Sequence, residues 1–365
     1  MTTSGLSIAS SHHFETAASL SQKRPSTFIA SPLYDTLFFI ASPALSLLLV
    51  ILLDRWPAAR SERSILGIES APITFFIAVW SYAHAFAVFF RTHADSRIFV
   101  RHRFRFIAVP IALFLALLWS DWVMITGLAV AGFWAVYHLG MQNFGLCRIY
   151  DARRGNPPEM GRTLDYWMTQ VLTLGPFIAG LCLMPTARVF LSFEEVGWHA
   201  PQRWLQALRL AQESFAPYFI ALGIAFLMFY LYSYRRLIKH GYRLCPQKIA
   251  LLVSSGGVSI IAWGFLSPWK AFFAMNFFHG LQYFAIVWWT ERKTMRGLLR
   301  LDEVAAGTWL ALLFFAATTL LVGILYRLYG LDYVTLRWAA ALGLSVSLLH
   351  YWYDGFVWSV QRREV

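Results

Sequence analysis

From residue 35 onward the chain alternates long apolar stretches with short polar, mostly basic connections. About 30 Å of hydrocarbon needs roughly 20 apolar helical residues, and most of these stretches approach or exceed that length. The pattern predicts ten helices, over 36–53, 71–90, 105–119, 122–146, 165–185, 215–238, 248–266, 269–289, 305–326 and 333–358. Ser120–Asp121 and Ser267–Pro268 leave room only for a tight turn, so the helices on either side of each form hairpins. The first 34 residues are polar, rich in Ser and Thr, and carry Lys23 and Arg24 without the apolar core that follows the basic start of a secretory signal. The expected architecture is all-α, a polytopic transmembrane helix bundle of ten spans. A flexible cytoplasmic tail over 1–34 precedes a single transmembrane domain over 35–365.

Composition agrees: of 365 residues, 58% are hydrophobic, 17% aromatic and only 14% charged, which excludes an ordinary soluble globular protein. The formal net charge of +12 raises the question of nucleic acid, and charge placement answers it. With ten spans, 22 Lys and Arg fall on the side of both termini and 8 on the other, with Arg337 inside the last helix. That is the asymmetry of cytoplasmic loops, with both termini cytoplasmic, and it explains most of the basic balance without a nucleic-acid partner. The expected location is a bacterial inner membrane. The run Arg91, Arg97, Arg101, Arg103, Arg105 reads as an anchor against anionic lipid. Residues 201–214 carry Trp204, Leu205 and Leu208 at helical spacing and predict an interfacial amphipathic helix. Cys147, Cys182 and Cys245 stand far apart with no C-x-x-C, so each is expected to be structural.

Ten histidines occur, and four of them, His84, His138, His279 and His350, lie inside apolar stretches. Ionisable groups within a bilayer are costly and usually face the bundle interior, where they mark function. They fall on the second, fourth, eighth and tenth helices, which all run toward the cytoplasm in the expected topology. Intervals of 7, 10, 13 and 12 residues to the next basic residue set all four within a layer roughly 10 Å thick. His138 is followed by Gln142, with Asn143 next to it, His279 by Gln282 and Tyr283, and His350 by Asp354, and spacings of three and four share a helix face with the histidine. A metal-bound imidazole gives its second N–H to such a partner, so Gln142, Gln282 and Asp354 are expected to orient the rings. Tyr283 is the candidate for proton transfer. His84 has Ala87 and Val88 where a partner would stand. Neutral imidazole suits iron, copper and zinc alike.

No H-E-x-x-H, P-loop or G-x-S-x-G occurs, nor do the clustered histidine boxes of membrane desaturases. Single histidines scattered over separate apolar helices, here His84, His138, His279 and His350, resemble the Brp/Blh family of membrane β-carotene cleavage dioxygenases, although its G-H-G-x-x-D-type signature is absent. The resemblance implies a non-haem iron(II) oxygenase acting on a lipophilic molecule within the bilayer, with the four histidines on the metal. The expected partners are such a molecule and membrane lipid, with a redox partner or a second copy of the chain left open. Two other readings fit the same residues. One is a haem-binding electron-transfer protein with paired axial histidines. The other is a proton-coupled transporter whose histidines and Asp354 relay protons.

Overall fold

The computed structural model describes residues 26–330 and 336–358. Residues 1–25 of the expected tail, and the chain ends on which the expected orientation rests, lie outside the described residues. Residues 26–34 are built into the fold. Buried Asp35 accepts the N–H groups of Ile29 (2.6 Å) and Ala30 (2.9 Å) and the hydroxyl of Tyr150 (3.0 Å), while Tyr34 donates to the Ala285 carbonyl (2.9 Å).

The described chain is almost entirely helical, and helices cover most of each expected stretch, with breaks in the first and fifth and with 333–335 of the last outside the described residues. We label the long ones α1 (Ser42–Asp54), α2 (Pro72–Thr92), α3 (Ser96–Trp119), α4 (Asp121–Arg153), α5 (Arg162–Ala179), α6 (Ala200–Lys239), α7 (Pro246–Phe265), α8 (Pro268–Leu298), α9 (Gly307–Tyr329) and α10 (Arg337–Val357). The short pieces are a turn at Pro32–Asp35 running into a π-helical segment, Thr36–Ile40, and a two-stranded hairpin of Arg63–Ile65 against Ile68–Ser70. Among the described residues, six helices (α2, α3, α4, α6, α7 and α9) are long and apolar enough to cross a membrane. The number rises to eight if two bent pairs each count as one span: Pro32–Ile40 with α1, bent by 52°, and α5 with Leu183–Val196, bent by 82°. The long helices that enter neither count are α8 and α10, which carry His279 and His350 among other polar residues. Both pack on several neighbours, so little of their surface has to be greasy.

The helix limits follow local chemistry. Pro72, Pro246 and Pro268 occupy the first turns of α2, α7 and α8, where a missing N–H costs nothing. The Ser120 hydroxyl caps α4 by accepting from Val123 N–H (3.4 Å), with Asp121 in the first turn. α3 begins nine residues before the apolar stretch because Asp95 caps it, accepting from Arg97 N–H (2.9 Å). A kink at His102 (φ −121°, ψ 21°) then joins this basic turn to the apolar part. The segment 201–214 is helical, as expected, and continues without a break into the apolar stretch as the 40-residue α6, about 60 Å long. α5 stops at Gly180, where a Cβ would meet the backbone carbonyls of Trp263 and Pro176, and Leu181 N–H bonds Trp263 O (3.0 Å).

α2, α8 and α10 form the centre: α2 packs on both α8 and α10, and α10 packs in turn on α3 and α4. α5 and α7 join α4 from its other side, with α6 outside α5. The four histidine-bearing helices thus surround one interior point.

Candidate metal centre

Small residues and cross-helix bonds bring the histidines together. On α8, Gly280 leaves room for the indole of Trp80 from α2, which a Cβ there would strike. Trp80 Nε1 donates to Phe277 O (3.2 Å), which fixes α2 against α8 one turn before His84 and two residues before His279. On the α4 side, Gly140 abuts the Gln170 side chain of α5. Arg337, at the start of α10, donates to Leu118 O (2.7 Å) and Leu117 O (3.2 Å) at the end of α3 and pairs with Asp121 of α4. A basic side chain on the last carbonyls of α3 suits the negative end of that helix, while its partner Asp121 suits the positive start of α4. It sets α10 along the α3–α4 hairpin.

The result is a closed ring of four buried imidazoles. Centroids stand 4.9 Å apart for His84 and His279, 5.0 Å for His279 and His138, 4.8 Å for His138 and His350, and 5.1 Å for His350 and His84. Neighbouring planes cross at 71–89°. Two imidazoles on one ion, with metal–nitrogen bonds of about 2.1 Å, have centroids roughly 4.6 Å apart at a right angle and roughly 5.3 Å at the tetrahedral angle. The observed spacings fall between. His138 Nε2 and His350 Nε2 are 3.1 Å apart. One ligand nitrogen each from His84, His279 and His350 lie within 4.8 Å of one another, and so do donor atoms of His138, His350 and Asp354. Among the described residues, both nitrogens of His84, with Nδ1 of His279 and of His350, are buried and have no hydrogen-bond partner. Orphaned polar atoms of this kind are costly in a dry interior unless a ligand satisfies them.

The expected companions divide. Asp354 is at the ring, with Oδ2 3.5 Å from His138 Nε2 and 3.8 Å from His350 Nε2. Its Oδ1 accepts from the Tyr283 hydroxyl (2.8 Å) and from Trp358 Nε1 (3.0 Å). Tyr283 also packs against His350, centroids 4.7 Å apart. Gln142 and Gln282 do not orient imidazoles. Gln142 Nε2 donates to His279 O (3.0 Å) and to Gln282 Oε1 (2.9 Å), while Gln282 Nε2 donates to Phe39 O (2.9 Å). Backbone carbonyls and a neighbouring amide are nearer partners for both, so the pair laces α4, α8 and the segment before α1 together, and reaches His279 only through its backbone.

An open-sided apolar groove of about 470 Å³ runs between α3, α4 and α10, lined by Val109, Leu113, Gly127, Val130, Trp134 and Leu349, among others. One of its lining residues leads to the ring. Trp134 stacks on Tyr351 at 6.2 Å, and Tyr351 lies 4.9 Å from His138.

Two charged groups escaped the sequence reading. Arg91, expected in the lipid anchor, is buried and pairs with buried Glu291 (2.5 Å), its guanidinium 4.7 Å over the Trp358 ring. Arg148 and Lys248 both bond Asp151 (2.8 Å each) and Asp165 (2.7 and 3.0 Å). Tyr230 and Tyr234 donate to Asp165, and Tyr242 donates to Asp151. The signal was available in part, since Asp151 and Asp165 are rare acids beside apolar stretches. Nothing in the sequence paired them with Lys248. The three cysteines are free and buried, as expected of structural residues.

Comparison of the chain with protein-family models, with curated proteins and with solved structures gives no match. The reading of the site therefore rests on its residues and geometry.

Proposed function

We propose that His84, His138, His279 and His350 hold a single metal ion, iron(II) in preference to copper or zinc, and that the protein is an integral-membrane oxygenase acting on a lipophilic substrate. The observation that carries this reading is the closed ring of four buried imidazoles, with spacings that suit one ion and, at His84, two ring nitrogens without a hydrogen bond among the described residues. Bound iron(II) would supply activation of dioxygen. The chain's own residues do the rest: the ring faces fix the donors, apolar neighbours keep bulk water out, and the Tyr283 hydroxyl holds a proton at Asp354 Oδ1 (2.8 Å), next to the centre. The groove between α3, α4 and α10 offers a substrate dissolved in lipid a route that ends at Trp134, one helical turn from His138.

The proposal takes all ten long helices as spans, in a membrane such as a bacterial inner membrane, with both termini cytoplasmic. Burial of α8 and α10 among their neighbours supports counting them, because a central span needs no lipid-facing surface. Haem fits the ring poorly. Any axial pair drawn from it would leave another imidazole, within 5.1 Å of a ligand, in the plane the macrocycle needs.

Purified full-length protein in detergent is expected to contain about one equivalent of iron, copper or zinc by elemental analysis. The His138→Ala/His350→Ala variant is expected to contain none. A metal-free wild type, with a double variant that behaves identically, would end the proposal.

A further inference from the structure

The geometry points to a fifth donor: we propose that Asp354 binds the ion directly through Oδ2, so that the centre is built from four imidazoles and one carboxylate. This rests on the metal-centre reading above. Three measured separations carry it, 3.1 Å between His138 Nε2 and His350 Nε2 and 3.5 and 3.8 Å from these to Asp354 Oδ2. Three points so spaced lie on a circle of radius about 2.0 Å, so one position is equidistant from all three at the usual length of a metal bond to imidazole nitrogen or carboxylate oxygen.

A carboxylate that only orients a ring bonds the nitrogen facing away from the metal. Asp354 does the reverse. Its Oδ2 faces the same two Nε2 atoms that face each other, and the Nδ1 of His350 has no hydrogen bond. Oδ1 is meanwhile held by Tyr283 and Trp358, which fixes the carboxyl plane and leaves Oδ2 as the oxygen turned to the ring. Trp358 is in turn held under the Arg91 guanidinium, 4.7 Å from its ring. Tyr283 and Trp358 are thus positioning residues.

A direct carboxylate has two consequences. It lowers the charge of a divalent centre from +2 to +1 in a buried site, where an uncompensated charge is expensive. It also gives a mixed nitrogen and oxygen donor set with one position of an octahedron free, which suits iron(II) or manganese(II) better than copper(I).

Cobalt(II) substitution of the full-length protein tests this without any turnover assay. Wild type is expected to bind one equivalent. Asp354→Cys should then show a sulfur-to-cobalt charge-transfer band in the near ultraviolet, because only a bound thiolate produces one. Asp354→Asn, checked for a monodisperse elution profile, should bind cobalt more than about 100-fold more weakly, beyond what loss of an orienting partner costs. If cobalt binds both variants as tightly as wild type and Asp354→Cys shows no band, Asp354 is no ligand and the four-histidine centre stands without it. If wild type binds no cobalt, iron or zinc, the metal-centre reading falls and this inference with it.

Discussion

At the residue scale, the side chains around the ring are ranked by what each touches. Tyr283 donates one of the two hydrogen bonds that hold Asp354 Oδ1. Tyr283→Phe is expected to keep the metal but weaken it by roughly 10- to 100-fold, the range for loss of an outer partner, in a chelator-competition titration. Arg91 and Glu291 are a different case, because both are buried and each neutralises the other. Removing one charge strands its partner in a low-dielectric interior, at a cost of about 3–5 kcal/mol, whereas replacing both with apolar groups is often close to neutral. Glu291→Gln should therefore lower the unfolding temperature in detergent sharply, and Arg91→Met/Glu291→Met should recover most of it. If the double variant is worse than the single, the pair contributes more than charge balance, through its hold on Trp358.

Among the elements, the contact between α2 and α8 decides whether two of the four imidazoles meet. Gly280 is the reason it is close: its missing side chain admits the Trp80 indole, which is boxed by Phe277 and Phe284 at centroid distances of 4.9 and 5.0 Å. A methyl group at 280 has nowhere to go unless the ring or the helix moves. Overpacking of this kind costs about 1–3 kcal/mol. Gly280→Ala is expected to destabilise by that amount and to reduce metal content, since any shift of α8 carries His279 away from His84. Unchanged stability together with full metal content would show that the indole, rather than the helix, yields. α4 is held differently. Its links to α8 run through side chains, Gln142 to Gln282 and to the His279 carbonyl, so the helices there leave the space between them to the imidazoles.

Across the whole molecule, two polar centres sit in one apolar bundle, and their chemistry separates them. The histidine ring is short of hydrogen-bond partners, as a ligand site is before its ligand is counted. The box of Arg148, Lys248, Asp151 and Asp165 has two positive and two negative charges, and tyrosine hydroxyls take up the second carboxylate oxygens. It ties α4, α5, α6 and α7 together and asks for nothing further. Arg148 is ten residues beyond His138, so the box lies about 15 Å along α4 from the ring. Lys248→Met is expected to cost about 3 kcal/mol or more in denaturant unfolding while leaving the metal affinity of the folded fraction unchanged. A matching loss of metal affinity would mean that the two centres are coupled.

Much of this was legible along the chain. Apolar run length located the ten long helices, because a helix that meets lipid must be greasy over a fixed length, while polar first turns start α3 and α6 nine and fifteen residues before their apolar stretches. The same expense of polar groups in apolar surroundings picked out His84, His138, His279 and His350, and residue spacing put Asp354 and Tyr283 beside them. The roles of their companions were not legible. Spacing of three or four places a side chain on a face but does not say which atom of a neighbouring helix it finds there. Gln142 and Gln282 therefore turned out to bond backbone and each other, and Asp354 turned its free oxygen inward. Charge counting along the loops likewise could not tell an anchored arginine from a paired one, since Glu291 lies 200 residues from Arg91 in sequence. Run length and the cost of polar groups in lipid were enough to drive the four histidines into the interior. Only the tertiary structure decided which of them face one another, because partners on separate helices are chosen by packing, by a glycine that admits an indole and an arginine that fastens a hairpin, and packing has no period along the chain.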